Sequence, residues 1–417
     1  MDNLHKFASF MQTQPSYCKE AWKRLHLMGL PKRKDESYKY FPLSELTLSE
    51  LTLSKPDLPE KRKIEEISYL FPETKENYLF FIEGAFEKRL SSIASSEMLI
   101  SPLQEAMHSY GIYLKGRMEK ELSREKDPMA LLQRALSKEG LFIYVPPNKK
   151  IKAPLQIVAI TSQTAISSPT IYLYLGKDAS LELCISSFSQ MQNKGVQNLY
   201  LDITLDEGAS LKIIDYTSRS EGLFFSHVRA LLKKKASMQG FLSSFGRVHR
   251  HKYQIQILGE GADCKMQGLS LLQGKMESHI HINMIHEESE AISKQFFRAI
   301  LEGSSKMDFE GKIYIYPKAQ KTESYQLSES LLLSDLAKSY VRPNLEIFAD
   351  DVKASHGATI SRMNEEELFY LRSRGIAAKD AKKIFCEGFC KGLLEELFLP
   401  SLKEEILKNI FYNVGGK

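Results

Sequence analysis

A mainly β protein with helical ends is expected from this 417-residue sequence, with a β-solenoid at its centre. Three observations lead there. Short segments rich in Val, Ile, Tyr and Leu crowd the region from Gly140 to about Ile360, among them LFIYVPP, LQIVAI, TIYLYLG, LYLDITL, YQIQILG and HIHINMI. Several of them alternate apolar and polar residues with the period of two that marks a strand. A weak repeat recurs within the same region, and the flanking segments carry helical spacing instead.

The N-terminal region, 1–135, is read as mainly helical. Ala21, Trp22, Leu25 and Met28 are apolar at helical spacing, and Gly29 and Pro31 stop that helix. LSELTLSELTLS (43–54) is a short near-duplicate followed by Pro56 and Pro59, which suggests a surface excursion. EKRKIEEISYL (60–70) is again compatible with helix.

The β core is assigned to 136–360. Its repeat begins with a small residue and continues with apolar residues two and four positions on. Ala179 leads to Leu181 and Leu183, Ala209 to Leu211 and Ile213, Ala262 to Cys264 and Met266, and Ser305 to Met307 and Phe309. Ala236 with Met238 is a poorer copy because Gly240 takes the last apolar place. Turn-like GKDA, DEGA and GEGA precede three copies, and successive starts lie 30, 27, 26 and 43 residues apart. A unit with one or two strands cannot bury its apolar face alone, so such units stack and share a core. A β-sandwich built of hairpins gives similar short strands and is the competing reading.

The C-terminal region, 361–417, returns to helix. Asn364 is placed to cap a helix through Glu365 to Arg374, with Glu367 three residues on and Gly375 as its stop. Phe385, Phe389, Leu393 and Leu397 then share one helical face, and Pro400 ends that helix. Ser401 and Glu404 have capping-box spacing for a last helix. This tail either packs on the end of the solenoid or presents a face to a partner.

Composition narrows the function classes. A net charge of +5, without an arginine-rich tract, does not suggest nucleic acid. No apolar run is long enough for a membrane span. MDNLHKFASFMQTQPS does not read as a secretory signal, and five scattered cysteines (Cys18, Cys184, Cys264, Cys386, Cys390) favour reduced thiols, so a cytoplasmic location is expected. There is no P-loop, nucleophile elbow, zincin motif or dinucleotide fingerprint in a suitable context.

Among candidate side chains, His356 stands at the junction of a strand pattern and a capped helix. In an extended strand it shares a face with Val352, Ala354, Ala358 and Ile360. Its plain reading is a half-buried histidine bonded to backbone; its chemical reading is a neutral imidazole able to ligate iron. One histidine supplies one ligand, so a metal role needs others, including from another chain. Asp350 and Asp351 point to opposite faces of a regular strand, and the apolar phase shifts beside them, so they read as a turn or bulge. His279 and His281 form an H-x-H pair with His286 close by, read chiefly as solvated positions and secondarily as metal ligands. His249 and His251, among Arg247, Arg250 and Lys252, read as a basic surface strand. Cys386 and Cys390, one helical turn apart, read as core, as do Cys184 and Cys264.

Several longer motifs occur in order. They are GLPKRKDESYKYFPL (29–43), GLFIYVPPNKKI (140–151), HEESEAISKQFFRAIL (286–301), FEGKIYIYPKAQKTESYQLSESLLLSDLA (309–337), and PNLEIFADDVKASHGAT with LFYLRSRGI near the C-terminus. This set resembles the SufB/SufD family of iron–sulfur cluster assembly. The resemblance implies a right-handed parallel β-helix between helical regions, and a non-catalytic scaffold subunit. It implies a complex with a SufB-like paralogue and a SufC-like ABC ATPase, the latter docking on the C-terminal helices through Phe385, Phe389, Leu393 and Leu397. Gly357 and the modest length favour the SufD side, which is linked to iron acquisition; a SufB-like scaffold is the alternative.

The resemblance also places His356 at the interface between paralogues, as one ligand of a transient iron or iron–sulfur site shared with the partner. Some members carry Cys two residues before that histidine; here the residue is Ala354. Thiolate for a cluster would then come from the partner. A homodimer remains open to the isolated chain. Two other classes are weighed. A β-helix polysaccharide-active enzyme would need clustered carboxylates with Arg or Lys on one solenoid face, and a pure adaptor would have no ligand site.

Overall fold

The computed structural model describes residues 7–46, 52–53, 69–137, 139–189, 195–218 and 220–413. Two long sheets face each other and share one core, and their strands alternate along the chain. The front sheet stacks Gly140–Val145, Thr170–Leu175, Val196–Leu205, Leu223–Leu232, Val248–Ile257, Glu277–His286, Lys306–Ile315 and Lys338–Ile347. The back sheet stacks Asn77–Ile82, Leu155–Thr161, Ser180–Ser189, Ser210–Thr217, Ser237–Ser244, Asp263–Leu272, Ile292–Leu301, Thr322–Leu332 and Val352–Arg362. Every pairing between neighbouring coils is parallel, which a hairpin-built sandwich does not give. The fold is a β-solenoid.

The repeat marks where each coil turns into its back-sheet strand. Ala179, Ala209, Ala236, Ala262 and Ala291 are buried there, 30, 27, 26 and 29 residues apart. The residue before each has a left-handed backbone: Asp178, Gly208, Lys235, Gly261 and Glu290, with φ between 56° and 68°. That conformation costs a non-glycine residue about 1 kcal/mol. It is offset because each of these N–H groups donates to a carbonyl of the next coil, as in Asp178 to Glu207 and Glu290 to Gln320. The fifth copy expected at Ser305 belongs to the front sheet. The true next copy is Ala291, whose inward residues two and four on are Ser293 and Gln295, so an apolar template passes over it. Gly240, the weak place in the repeat, points inward, and a Cβ there would lie 2.5 Å from Met266 Sδ. The longer side chain of the next coil fills the glycine's share of the core.

Both ends differ from plain solenoid. The N-terminal region includes helices Ser16–Met28, Leu103–Arg124 and Pro128–Leu136. Gly29 stops the first of these with φ of 81°, and Ala21 and Leu25 are buried. Between residues 77 and 102, however, this region carries short strands and a single 3-10 turn, Lys88–Leu90. Asn77–Ile82 joins the back sheet beside Leu155–Thr161, and Leu99–Pro102 caps the front sheet antiparallel to Gly140–Val145. The apolar run YLFFI is buried on both faces there, which hides the alternation of a strand. Within the 43–54 duplicate, Leu43–Glu45 is a 3-10 turn and Thr52–Leu53 pairs with Ala165–Ile166. Residues 47–51 and 54 of that stretch, and 60–68 with its expected helix, lie outside the described residues.

At the C-terminus, Asn364 caps Glu365–Ser373 by accepting from the Glu366 N–H at 2.9 Å. Ala378–Leu394 and Pro400–Asn413 follow and pack on the outer face of the back sheet, over Ile214, Phe241, Leu269 and Ile300. The Ser401–Glu404 box does not form. Glu73 instead takes the Ser401 N–H at 2.8 Å and its hydroxyl at 2.6 Å, joining the two terminal regions across the chain.

Candidate functional site at the open end of the solenoid

The last back-sheet strand, Val352–Arg362, pairs with Thr322–Leu332 on one side only. Among the described residues its other edge is free, as is that of Lys338–Ile347 in the front sheet. The solenoid therefore ends in two unpaired edges, a template for another chain unless something covers it. Exposed apolar side chains sit around this end: Ile347, Phe348, Ile360, Leu327 and Tyr316.

His356 is exposed on that last strand. Its register partner is Gln326, and Ala354 sits over Ser324. Val352 and Ala354 still pack against the shared core, and beyond them the strand has no coil above it to bury its inward row. The exposure of His356 follows from its place in the last coil. Asp350 and Asp351 form the bend that precedes the strand, both exposed. The Asp351 N–H donates to Gln320 Oε1 at 2.9 Å and its carbonyl accepts from the Lys321 N–H, so the pair is structural.

Among the described residues, no group of three or more His, Cys, Asp or Glu is placed to hold a metal ion. All five cysteines are buried, and burial raises their thiols: Cys18 to about 11, Cys386 to about 12, and Cys184, Cys264 and Cys390 well above the ordinary value. The chain thus brings one imidazole and no thiolate to its open end. A single imidazole does not by itself complete the coordination of a metal ion or cluster.

Of the other described histidines, His26 and His108 are exposed on the N-terminal helices, and the rest are buried. His249 and His251 fall in phase with Tyr253, Ile255 and Ile257 and point into the solenoid, where they are buried. His251 Nδ1 lies 3.2 Å from Asp215 Oδ2 and its Nε2 lies 2.8 Å from Ser244 Oγ. The order is that of a hydrolytic triad, but all three residues are buried in the lumen, out of reach of a substrate. His279 and His281 face outward and are covered. Both meet Asp308, at 3.4 and 3.1 Å, and Arg342 closes on the same carboxylate at 2.9 Å. Two histidines on one arginine-paired carboxylate are a hydrogen-bonded cluster and lack the donor set of a metal centre.

What covers the front sheet is the N-terminal segment. Tyr38 and Phe41 are buried on it, Phe41 lies 5.3 Å from the Phe225 ring, and Tyr40 stacks on Tyr340 at 4.0 Å. Beneath runs a buried chain of opposite charges. Arg250 pairs with Asp127 at 2.8 Å, Lys252 with Asp127 at 3.2 Å, Arg229 with Glu125 at 2.6 Å and with Glu121, and Arg117 with Asp202 at 2.7 Å. Burial alone would raise the Glu125 carboxyl; Lys252 and Arg229 outweigh it and hold it at about 2. The carboxylates and arginines that a polysaccharide-active groove would need are thus clustered, yet paired and covered. The basic surface strand expected around Arg250 is the centre of this buried contact.

The face expected to dock a partner is turned inward. Leu393 is fully buried, and Phe385, Phe389 and Leu397 pack half-buried against the back sheet. The Arg298 guanidinium lies 5.0 Å from the Phe389 ring and donates to the Phe389 carbonyl. An apolar helical stripe buries first against its own chain, as it does here. Cys386 and Cys390 belong to the same core, as expected. The exposed apolar residues of these helices are instead Phe369 (71%), Tyr370 (57%) and Ile384 (45%).

Comparison with known proteins decides the family. The profile of the SUF system FeS cluster assembly SufBD core domain matches residues 158–389, and that of the SufBD protein N-terminal region matches 7–157. The chain belongs to the SufBD family. It is 25% identical to an iron–sulfur cluster assembly SufBD family protein of Synechocystis, over 90% of this chain and 86% of that one. It is 26% identical to the iron–sulfur cluster assembly protein SufD of Escherichia coli, over 93% and 90%. It is 24% identical to SufB of Bacillus subtilis, over 82% and 76%. The boundary between the two SufBD profiles falls inside the Leu155–Thr161 strand, so the N-terminal profile already includes the first strands of the solenoid.

Proposed function

We propose that this SufBD family chain is a SufD-type, non-catalytic subunit of a cytoplasmic SUF scaffold. It pairs with a SufB-like paralogue through the open end of its solenoid and contributes His356 to an iron or nascent-cluster site shared across that interface. One observation carries the reading. The imidazole is exposed on an edge strand that is unpaired among the described residues, no group of three or more candidate metal ligands is assembled among those residues, and no cysteine is accessible. The burial of all five cysteines favours the SufD role over that of a SufB-like scaffold holding a cluster by itself, because thiolates are the usual cluster ligands. A SufC-like ABC ATPase engages the C-terminal helices, and its ATP turnover moves the interface. The outer residues Phe369, Tyr370 and Ile384 support that contact in place of the buried stripe.

The test is coexpression with the SufB- and SufC-like partners, followed by stoichiometry and metal analysis. A complex containing this chain, with iron and acid-labile sulfide beyond what the chain holds alone, is expected. A chain that purifies alone in the presence of both partners would overturn the reading.

A further inference from the structure

The interior of the solenoid changes character along its axis. One inward register column of the back sheet reads Leu155, Leu183, Ile213, Gly240 and Met266, then Gln295, Gln326 and His356. The inward row of Thr322–Leu332 is polar over four successive places, Ser324, Gln326, Ser328 and Ser330, all buried. In the earlier coils the places of Ser324, Gln326 and Ser328 hold mostly apolar side chains, whereas the place of Ser330 is already hydroxylic, with Ser187, Thr217, Ser244 and Ser270.

Gln295 and Gln326 are 2% and 3% exposed, and no described residue hydrogen-bonds any of their four amide atoms. Both reach across the lumen to Gly311 of the front sheet. A Cβ on that glycine would lie 1.7 Å from Gln326 Nε2 and 3.1 Å from Gln295 Oε1. The two amides thus converge on one place without pairing with each other. Buried polar groups in folded proteins keep partners, and where protein supplies none the partner is commonly an ordered water making about three bonds. The polar residues on the inward rows of the last three back-sheet strands are Ser, Thr, Gln and His, and the one charged side chain, Arg362, lies at the exposed far end of the last strand, paired with Asp335. That chemistry suits a neutral hydrogen-bonding molecule and does not suit an ion.

We infer that the last coils enclose an internal water site, held by Gln295 and Gln326 and continuous with His356 at the open end. Water then reaches the imidazole from inside the solenoid while a second subunit covers it from outside. That consequence rests on the role proposed for His356; the water site itself does not.

The full chain is compared with its Gln295→Met/Gln326→Met double variant, since Met keeps the length and volume of Gln and removes its polar atoms. Two measurements are made: water density in a high-resolution crystal structure, and long-lived internal water in solution by oxygen-17 relaxation dispersion. Wild type is expected to show water bonded to both amides, and the double variant to lose it, with a smaller dispersion amplitude. Should the double variant not fold, Gln326→Met alone carries the same comparison. Two amides paired directly in a dry lumen, or an unchanged amplitude in the folded variant, would overturn the inference. Metal analysis of the wild-type complex separates the two readings: no iron with the water present counts against the proposed function alone, and a dry lumen with iron bound counts against the water site alone.

Discussion

Gln326 and His356 occupy facing register positions on the last two strands of the back sheet, one buried and one exposed. A single added coil separates an inward residue closed into the lumen from one offered to a partner. The stacking that buries each coil under the next also leaves the final coil's inward row free, and that is where this SufBD chain carries the exposed imidazole of His356.

The N-terminal segment is held to the front sheet by the buried charges, and Arg250 stands at their centre. It contacts Asp127 and lies 4.2 Å from the Tyr38 ring. Arg250→Met is expected to leave the Asp127 carboxylate short of a cation in a dry contact, at a cost of about 3–5 kcal/mol. Urea unfolding should show the loss, and proteolysis should cut first within residues 29–46.

Stability should fall on mild acidification because His227 is buried. Burial is the largest cause and holds its pKa down at about 4; Arg250 and Lys252 act in the same direction, against Asp127 and Glu125. An unfolded histidine titrates near 6.5. Between those values the unfolded chain binds more protons, so this stability is fully present above about 6.5 and is lost as the pH falls toward 4. A His227→Phe variant should unfold in urea with a flatter pH dependence across that window. An equal slope in both proteins would count against the assignment.

The two faces of the C-terminal helices should separate in mutagenesis. Leu393→Ala creates a cavity under the helix and should cost about 2–5 kcal/mol. Phe369→Ala and Ile384→Ala lie on the exposed face and should change stability by no more than about 0.5 kcal/mol. If the ATPase docks there, they weaken its copurification. Binding that survives both surface changes would move the contact elsewhere.

Glu73 and Ser401 link the terminal regions, so Glu73→Ala should lower stability by about 1 kcal/mol, the usual loss for a helix N-cap. Circular dichroism during urea unfolding checks it, and Glu73→Gln should recover part of the loss.

Much of the architecture was legible in sequence because each early coil repeats one apolar unit. Ala179, Ala209 and Ala262 set its phase, and the GKDA, DEGA and GEGA turns marked where coils begin. The pattern faded where the interior itself turns polar: Ser293 and Gln295 hid the Ala291 copy. His249 and His251 were misread because charged neighbours outweighed a phase already set by Tyr253, Ile255 and Ile257. The covering of the front sheet depends on contacts such as Tyr40 with Tyr340, 300 residues apart, and such contacts leave no periodic trace. The C-terminal stripe was visible as apolar, but periodicity does not say whether such a stripe meets its own chain or another. His356 was legible as a residue, whereas its standing as a lone, exposed ligand needed the position of the last coil.

The most direct test of the central claim is iron and acid-labile sulfide per complex, measured on the purified assembly with its SufB- and SufC-like partners, wild type against His356→Ala. The His356 side chain is exposed and makes no hydrogen bond among the described residues, so the variant should fold and assemble with unchanged stoichiometry. The expected result is an intact complex that has lost most of its bound iron and sulfide. An intact His356→Ala complex with wild-type iron and sulfide would contradict the account.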